Sequence, residues 1–195
     1  MKPVTIIGGG LAGLTLGLRL RQENVPVTLF DAGTYPRHRV CGEYLSGRGL
    51  AVIQSLGIRT RLNSLGAVES SDVILASGPS LLSRRQLPQP ALCLSRYEMD
   101  QFLLHELKQA GANIQTGQRI APEPSEGVVL ATGRQPSVTE HGWRWFGLKA
   151  HARNVRLEAG LEMHLSKQGY IGLCRIEDDQ VNVCVLFRSR SPVPN

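Results

Sequence analysis

The sequence predicts an α/β fold with a Rossmann-like parallel sheet and a second, antiparallel sheet. Three observations carry this. Val4 to Asp31 reads as strand, glycine turn, helix, strand and terminal acid. Residues 96–110 repeat Met99, Phe102, Leu103, Leu107 and Ala110 at helical spacing ahead of another short strand. Strand-like runs with turn residues between them fill 68–87 and 143–187. Strands alternating with helices build a parallel sheet, whereas successive strands joined by short turns build an antiparallel one.

In the first run, Val4, Ile6 and Ile7 form the β-branched stretch of a strand buried on both faces. Gly8, Gly10 and Gly13 then satisfy G-x-G-x-x-G. The first allows the tight turn, the second lets backbone approach a pyrophosphate, and the third lets helix lie close on strand. A helix follows from Leu11 to about Glu23, with Leu14 and Leu18 on one side and Ala12, Leu16 and Leu20 on another, so it should be mostly covered. Its first-turn amides, Leu11 and Ala12 among them, have no intrahelical acceptor and face the positive end of the macrodipole, which favours a phosphate. Pro26 stops the helix, and Val27 to Phe30 forms the second strand. Asp31 stands at its carboxyl end, where an acid accepts hydrogen bonds from ribose hydroxyls. Strand, glycines, helix and acid in this order make a Rossmann-like dinucleotide-binding unit.

The bulk composition excludes several classes. The 195 residues are 42% hydrophobic, enough for one domain or one and a half. A net charge of +6 invites a nucleic-acid partner, but the basic residues are scattered and aromatic content is 5%, which leaves no basic helix or stacking platform. Clusters at Arg37, His38, Arg39 and at Arg84, Arg85 are expected on a solvated surface. Cys41, Cys93, Cys174 and Cys184 form no C-x-x-C pair, so no zinc site or disulfide framework is expected, and reduced thiols suit a cytoplasmic protein. No apolar stretch approaches transmembrane length, and peripheral contact with a membrane surface stays open.

Residues 32–46, AGTYPRHRVCGEYLS, are a loop by their Gly and Pro content. Together with the N-terminal unit, P-R-x-R-x-C-G-E-x-L-S resembles the geranylgeranyl reductase group of FAD-dependent oxidoreductases, within the p-hydroxybenzoate hydroxylase-like flavoproteins. The resemblance implies FAD as cofactor, with NAD(P)H a candidate electron donor, and a loop that runs along the cofactor. It implies Arg39 as a cofactor contact, with Cys41 and Gly42 lining the flavin side. Cys41 is also a candidate catalytic thiol, its reactivity set by its thiolate fraction.

Residues 47–56 read as a short helix ended by Gly57. Val68 to Ala76 and Leu81 to Leu87 read as a hairpin around 77–80, and Pro88 to Pro90 as a link. Ser95 and Glu98 fit a capping box for the helix that follows, with Gly111 its C-terminal cap. In the resembled flavoproteins R-x-x-x-D-x-x-L directs its arginine to the cofactor pyrophosphate; Arg96, Asp100 and Leu103 match. A guanidinium suits this task because it is always charged and offers forked donors. Ala112 to Thr116 is expected as a third parallel strand. After a turn-rich connector with Pro122 and Pro124, Val128 to Ala131 enters Thr132-Gly133, which resembles the family's A-T-G strand end beside the dinucleotide.

From Gly142 onward, alternating strands through Phe187 suggest the sheet of a substrate domain whose apolar face would floor a lipophilic pocket. Trp143-Arg144-Trp145 is similar to the W-x-W of flavin-dependent halogenases but lacks the following Ile-Pro. His141, His151 and His164 show no metal-ligand spacing and are expected to be structural or exposed.

Residues 1–66 and 91–135 are thus expected to form the FAD-binding layer, 67–90 and 136–190 part of a substrate domain, and 191–195 a tail. The resembled flavoproteins return to the nucleotide layer with a Gly-Asp motif that is missing here, so the fold is expected to be incomplete at its C-terminus. That leaves a sheet edge beside Val128 to Ala131 through which the chain could self-associate. The expected function is an FAD-dependent reductase or monooxygenase that acts on a lipophilic small molecule by hydride transfer. The alternatives are a nucleotide-binding fragment without activity and a nicotinamide-dependent dehydrogenase.

Overall fold

In chain order the elements are β1 (Val4–Ile7), α1 (Leu11–Gln22), β2 (Val27–Asp31), β3 (Tyr44–Leu45), α2 (Gly47–Ser55), α3 (Arg59–Ser64), β4 (Val68–Ser77) and β5 (Ser80–Cys93). There follow α4 (Arg96–Gln109), β6 (Asn113–Thr116), β7 (Val128–Leu130), β8 (Arg144–Ala152), β9 (Leu161–Ser166), β10 (Gly169–Arg175), a 3₁₀ turn (Glu177–Asp179) and β11 (Val181–Ser189). The structure, a computed structural model, describes residues 1–121, 125–133 and 142–190. Pro122, Pro124, His141 and the tail 191–195 lie outside the described residues. Two units divide the chain: Met1–His38 with Arg96–Gln135, and Arg39–Ser95 with Pro136–Asn195.

The first unit holds a parallel sheet in the order β6-β2-β1-β7. Ile6, Leu14, Leu29, Leu103 and Leu107 form its core and are shut off from solvent. Helix α1 buries Gly13, Leu14, Gly17 and Leu18, whereas Ala12 is exposed. One face is covered, not the greater part of the helix as expected, because β1 and α4 both meet it from the same side. A Cβ at Gly17 would lie 2.9 Å from Leu107 Cδ2, so the missing side chain is what brings α1 and α4 together. Arg21 ties the far end of α1, donating from Nε to Ala110 O at 2.8 Å and from Nη1 to Val25 O at 2.9 Å. Among the described residues β7 has no partner strand on its outer side, so the expected sheet edge beside Val128–Leu130 is present.

The second unit is a seven-stranded sheet, order β3-β5-β4-β9-β10-β11-β8. It is antiparallel except where β4 runs parallel to β9, which makes the expected antiparallel sheet a mixed one. The expected link at Pro88 to Pro90 lies within β5, which continues to Cys93. Its pairing with β4 jumps from Asp72↔Gln86 to Ser70↔Ala91, and both prolines fall in that bulge, where their missing N–H groups break no ladder bond. Residues 39–66 and 91–95, expected in the nucleotide layer, belong to this unit instead: Tyr44 and Leu45 pair with Cys93 and Leu92. Helix α2 buries Leu50 and Ile53, and α3, a stretch without an expectation from sequence, buries Leu62.

The strand register sorts the second sheet into two faces. Ile171, Val185 and Leu148 form one lateral row, and Phe187 stacks on Phe146 at 5.5 Å between ring centroids on the same side. Cys174, Asn182 and His151 form a row that points the other way.

Leu103→Ala should lower unfolding free energy by about 3 kcal/mol, since a fully buried leucine loses its transfer energy and leaves a cavity. Urea denaturation followed by circular dichroism checks this; a loss under ~1 kcal/mol would mean that the α1–α4 core is loosely packed.

Candidate dinucleotide site

The glycine turn between β1 and α1 has three distinct environments. Gly8 has φ +113, and a Cβ there would lie 2.2 Å from Ala131 O and 2.8 Å from Thr132 N. A Cβ at Gly13 would lie 1.9 Å from Gly8 O, so helix rests on strand through backbone alone. Gly10 differs: its backbone is extended, and a Cβ would meet nothing nearer than Arg96 Nη2 at 4.0 Å. The turn is therefore filled by protein on two sides and open on the third, where it faces a guanidinium.

Arg96 is aimed by its own helix. Its Nε donates to Asp100 Oδ1 at 2.7 Å and its Nη2 to Asp100 Oδ2 at 2.8 Å, with the carboxylate fully buried. The i,i+4 spacing on α4 brings the two together, and the paired bonds fix the plane of the fork. No acidic residue occupies the first turn of α1, so nothing there competes with an anion for the helix N-terminus. Gly8, Gly10, Leu11, Ala12, Gly13, Asp31, Arg96, Thr132 and Gly133 all belong to the first unit. Arg39, Cys41 and Gly42 belong to the second, where Arg39 is exposed and Cys41 is half-buried.

Asp31 is engaged inside the protein. Its Oδ2 accepts from Gly9 N at 2.6 Å and Arg37 Nη2 at 2.8 Å, and its Oδ1 from Gly33 N at 2.7 Å and Arg37 Nη1 at 2.5 Å. A carboxylate offers about four acceptor positions, and these four donors take them. A further donor could reach Asp31 only by displacing one of these four. Burial works to raise the Asp31 pKa, but the bonds from Arg37, Gly33 and Gly9 outweigh it and hold the carboxyl below its usual range. Arg37 was expected on a solvated surface; instead it lies 4.3 Å over the Tyr35 ring, its Nε buried without a partner. The Tyr35 hydroxyl donates to Gly9 O. Nothing in the spacing of Tyr35 and Arg37 announced this, since the pairing comes from the path of the loop.

In the second unit the Cys174 thiol is pushed up by its bond with Cys93 and by burial, which makes it inert, and burial raises Cys184 too. Trp143 carries Arg188 and Arg190 over its ring at 4.8 and 4.7 Å, a surface packing role on the sheet. His164 meets Glu162 at 3.0 Å and His151 meets Glu43 at 2.7 Å, both structural as expected.

Residues 1–137 match the family described as FAD binding domain. The chain belongs to that family. Among curated relatives, a 1H-pyrrole-2-carbonyl-(peptidyl-carrier protein) brominase of Pseudoalteromonas luteoviolacea is 25% identical over 89% of the chain and 41% of its own length. A 6-methylpretetramide 4-monooxygenase of Streptomyces rimosus is 30% identical over 56% of the chain and 27% of its own length. The solved flavin-dependent brominase Bmp2 shares the fold with TM-score 0.77 at 17% identity, over 96% of this chain and 56% of that one. The chain thus spans about half the length of the proteins it resembles, or less. The α/β fold expected from the sequence, and its place among p-hydroxybenzoate hydroxylase-like flavoproteins, agree with these matches; neither named relative is a geranylgeranyl reductase. No helix among the described residues is long and apolar enough to cross a membrane.

The lowered pKa of Asp31 makes a sign-definite prediction. Its stabilising contribution is full above the unfolded value of about 3.9 and is lost as pH falls through the lower folded value. Asp31→Asn should therefore cost on the order of 2–3 kcal/mol near neutral pH, by leaving Arg37 poorly paired. The gap to the parent should narrow as pH falls below about 4 and close only at lower pH, where the folded carboxyl gains its proton. Urea titrations of both proteins between neutral and acid pH measure this, and a gap independent of pH would contradict the assignment.

Proposed function

We propose that the chain is the FAD-holding part of a flavin-dependent monooxygenase acting on a small organic substrate. The observation that carries the reading is the open face of Gly10 at the N-terminus of α1, with Arg96 set beside it by the buried Asp100. These residues fit a diphosphate: backbone amides of Leu11 and Ala12 on one side, a forked cation on another, and an approach free of side-chain atoms. Ala131 and Thr132 add backbone beside Gly8, with Gly133 next in the chain. Asp31 takes the ribose when Arg37 gives way, so the adenosine end of the cofactor is won by exchange and not by insertion into an empty socket.

When bound, FAD supplies the redox chemistry, while the protein supplies binding, orientation and electrostatics. Electrons would come from NAD(P)H. Monooxygenation is favoured over bromination because the S. rimosus relative is named a monooxygenase and the Trp143-Arg144-Trp145 run lacks the Ile-Pro of the halogenase motif. A second reading, reduction of a double bond by hydride transfer, rests on the Cys41-Gly42 pair alone. A lipophilic substrate is not part of the proposal. The apolar residues Leu148, Ile171 and Val185 lie on the sheet face opposite the one that holds Cys41 and Gly42.

Gly10→Val tests the site without breaking the fold. The extended backbone at Gly10 accepts a β-branched residue, and the added atoms enter the open side. The variant should melt within about 3 °C of the parent yet lose FAD binding by at least 100-fold, whereas Gly13→Val should fail to fold. Arg96→Lys, which keeps a charge for Asp100 but not the fork, should weaken FAD about tenfold. Fluorescence quenching of FAD on titration reads all three; undiminished affinity in Gly10→Val would refute the placement.

A further inference from the structure

Within the second unit, the short run Cys41-Gly42-Glu43 is fastened to one sheet face by groups from three strands. Asn182 Nδ2 on β11 donates to Cys41 O at 3.1 Å, and the Cys174 thiol on β10 donates to Gly42 O at 3.2 Å. The Glu43 carboxylate reaches β8, where Oε1 pairs with Lys149 Nζ and Oε2 lies 2.7 Å from His151 Nε2. Glu43 is 3% exposed and Asn182 is fully buried. Cys174, Asn182 and His151 are a single lateral row of the sheet, so their side chains act from one line. On the far side of the run, Leu94 N donates to Glu43 O at 3.3 Å.

These bonds dictate where the peptide groups point. In a trans peptide the N–H is opposed to the C=O, and among the described residues the only cis bond is Tyr35-Pro36. With both carbonyls turned into the sheet, the N–H groups of Gly42 and Glu43 turn away from it. The Glu43 N–H meets Cys41 Sγ at 3.4 Å, which places the thiol on that outer side. A Cβ on Gly42 would touch nothing within 4 Å, so the run is open beside this residue. Glu43 itself has φ +52, a left-handed conformation that a non-glycine residue adopts at a cost of about 1 kcal/mol unless its surroundings impose it. A solvated strand-end glutamate has no reason to accept both that backbone and full burial.

We propose that Glu43 is a positioning residue: its carboxylate, clamped by Lys149 and His151, holds the Cys41-Gly42 peptide so that an amide donor and a thiol are presented together on the side away from the sheet. The assignment concerns the second unit alone and stands apart from the flavin reading above. Lys149 is 106 residues and His151 108 residues away in sequence, so the second unit must be folded before the pair is set.

The thiol reports on the arrangement directly. Cys93, Cys174 and Cys184 are buried, so iodoacetamide should label Cys41 first, and Cys41→Ser should remove that label. Glu43→Gln removes the charge but keeps the side chain's shape. Because losing one member of a buried pair can unfold a protein, the double variant Glu43→Gln/Lys149→Met is made beside it. In the double variant, melting near the parent temperature, Cys41 alkylation should be at least about fivefold slower than in the parent, as the thiol is no longer held outward and loses its Glu43 N–H contact. FAD affinity should stay within about threefold, because Gly10 and Arg96 are untouched. An unchanged alkylation rate in the folded double variant would overturn the proposal and leave Glu43 a packing residue. If the parent takes up no FAD, the flavin reading falls, and the alkylation ratio still decides the role of Glu43.

Discussion

Backbone packed on backbone is the constraint from which the first unit follows. With Gly13 above the carbonyl of Gly8, α1 sits closer to β1 than any side chain would allow. That contact sets the height of the helix over the sheet, and hence where its N-terminal amides come out. Gly17 repeats the device one turn on, against Leu107 of α4. The two helices are thereby drawn together, and the start of α4, with Arg96, comes to stand beside Gly10. An alanine at Gly10 would alter what can bind; an alanine at Gly13 would alter what can fold. The same residue type thus serves stability at one position and recognition at another, separated by three residues.

The charges near this turn are ordered by burial. Asp100 is fully enclosed and would be costly if unpaired, so Arg96 is held to it through two bonds in one plane. Arg37 and Asp31 repeat the pattern in a half-enclosed setting, with two backbone amides completing the carboxylate. Such pairs add little net stability over apolar replacements, because desolvation offsets attraction. What they supply is direction. A guanidinium held in one plane can act in only a few directions.

The first unit was largely legible from sequence because its signals are local. Glycine spacing, the strand on either side, the acid at the end of β2 and the helix with Arg96 and Asp100 each fall within one continuous stretch, so periodicity and chain order suffice. The structure departs from the reading where distant residues decide. Residues 39–46 look like a nucleotide-layer loop until Tyr44 and Leu45 pair with β5, nearly fifty residues on. Pro88 and Pro90 look like strand breakers, yet a bulge lets β5 run through them. Arg59–Ser64 holds one buried residue, Leu62, too few for a helical period to show. Asp31 was found by position, but its occupation by Arg37 depends on how the intervening loop doubles back, which no spacing rule encodes.

Residues 32–46 show how a loop can be held by charged side chains. A strand or helix satisfies its backbone by repetition, but this stretch has only a two-residue strand, at Tyr44–Leu45. Side chains must do the fastening instead. Its first half is tied down by Arg37 and Tyr35 in the first unit, and its second half by Glu43 in the other. An apolar anchor would bury equally well but could rotate without penalty, since dispersion has no direction. Buried hydrogen-bonded charges cannot, because each misaligned donor is left unpaired in a medium that does not solvate it. A loop whose peptide groups must keep fixed directions is therefore better held by charges than by leucines, even where leucines would make it more stable.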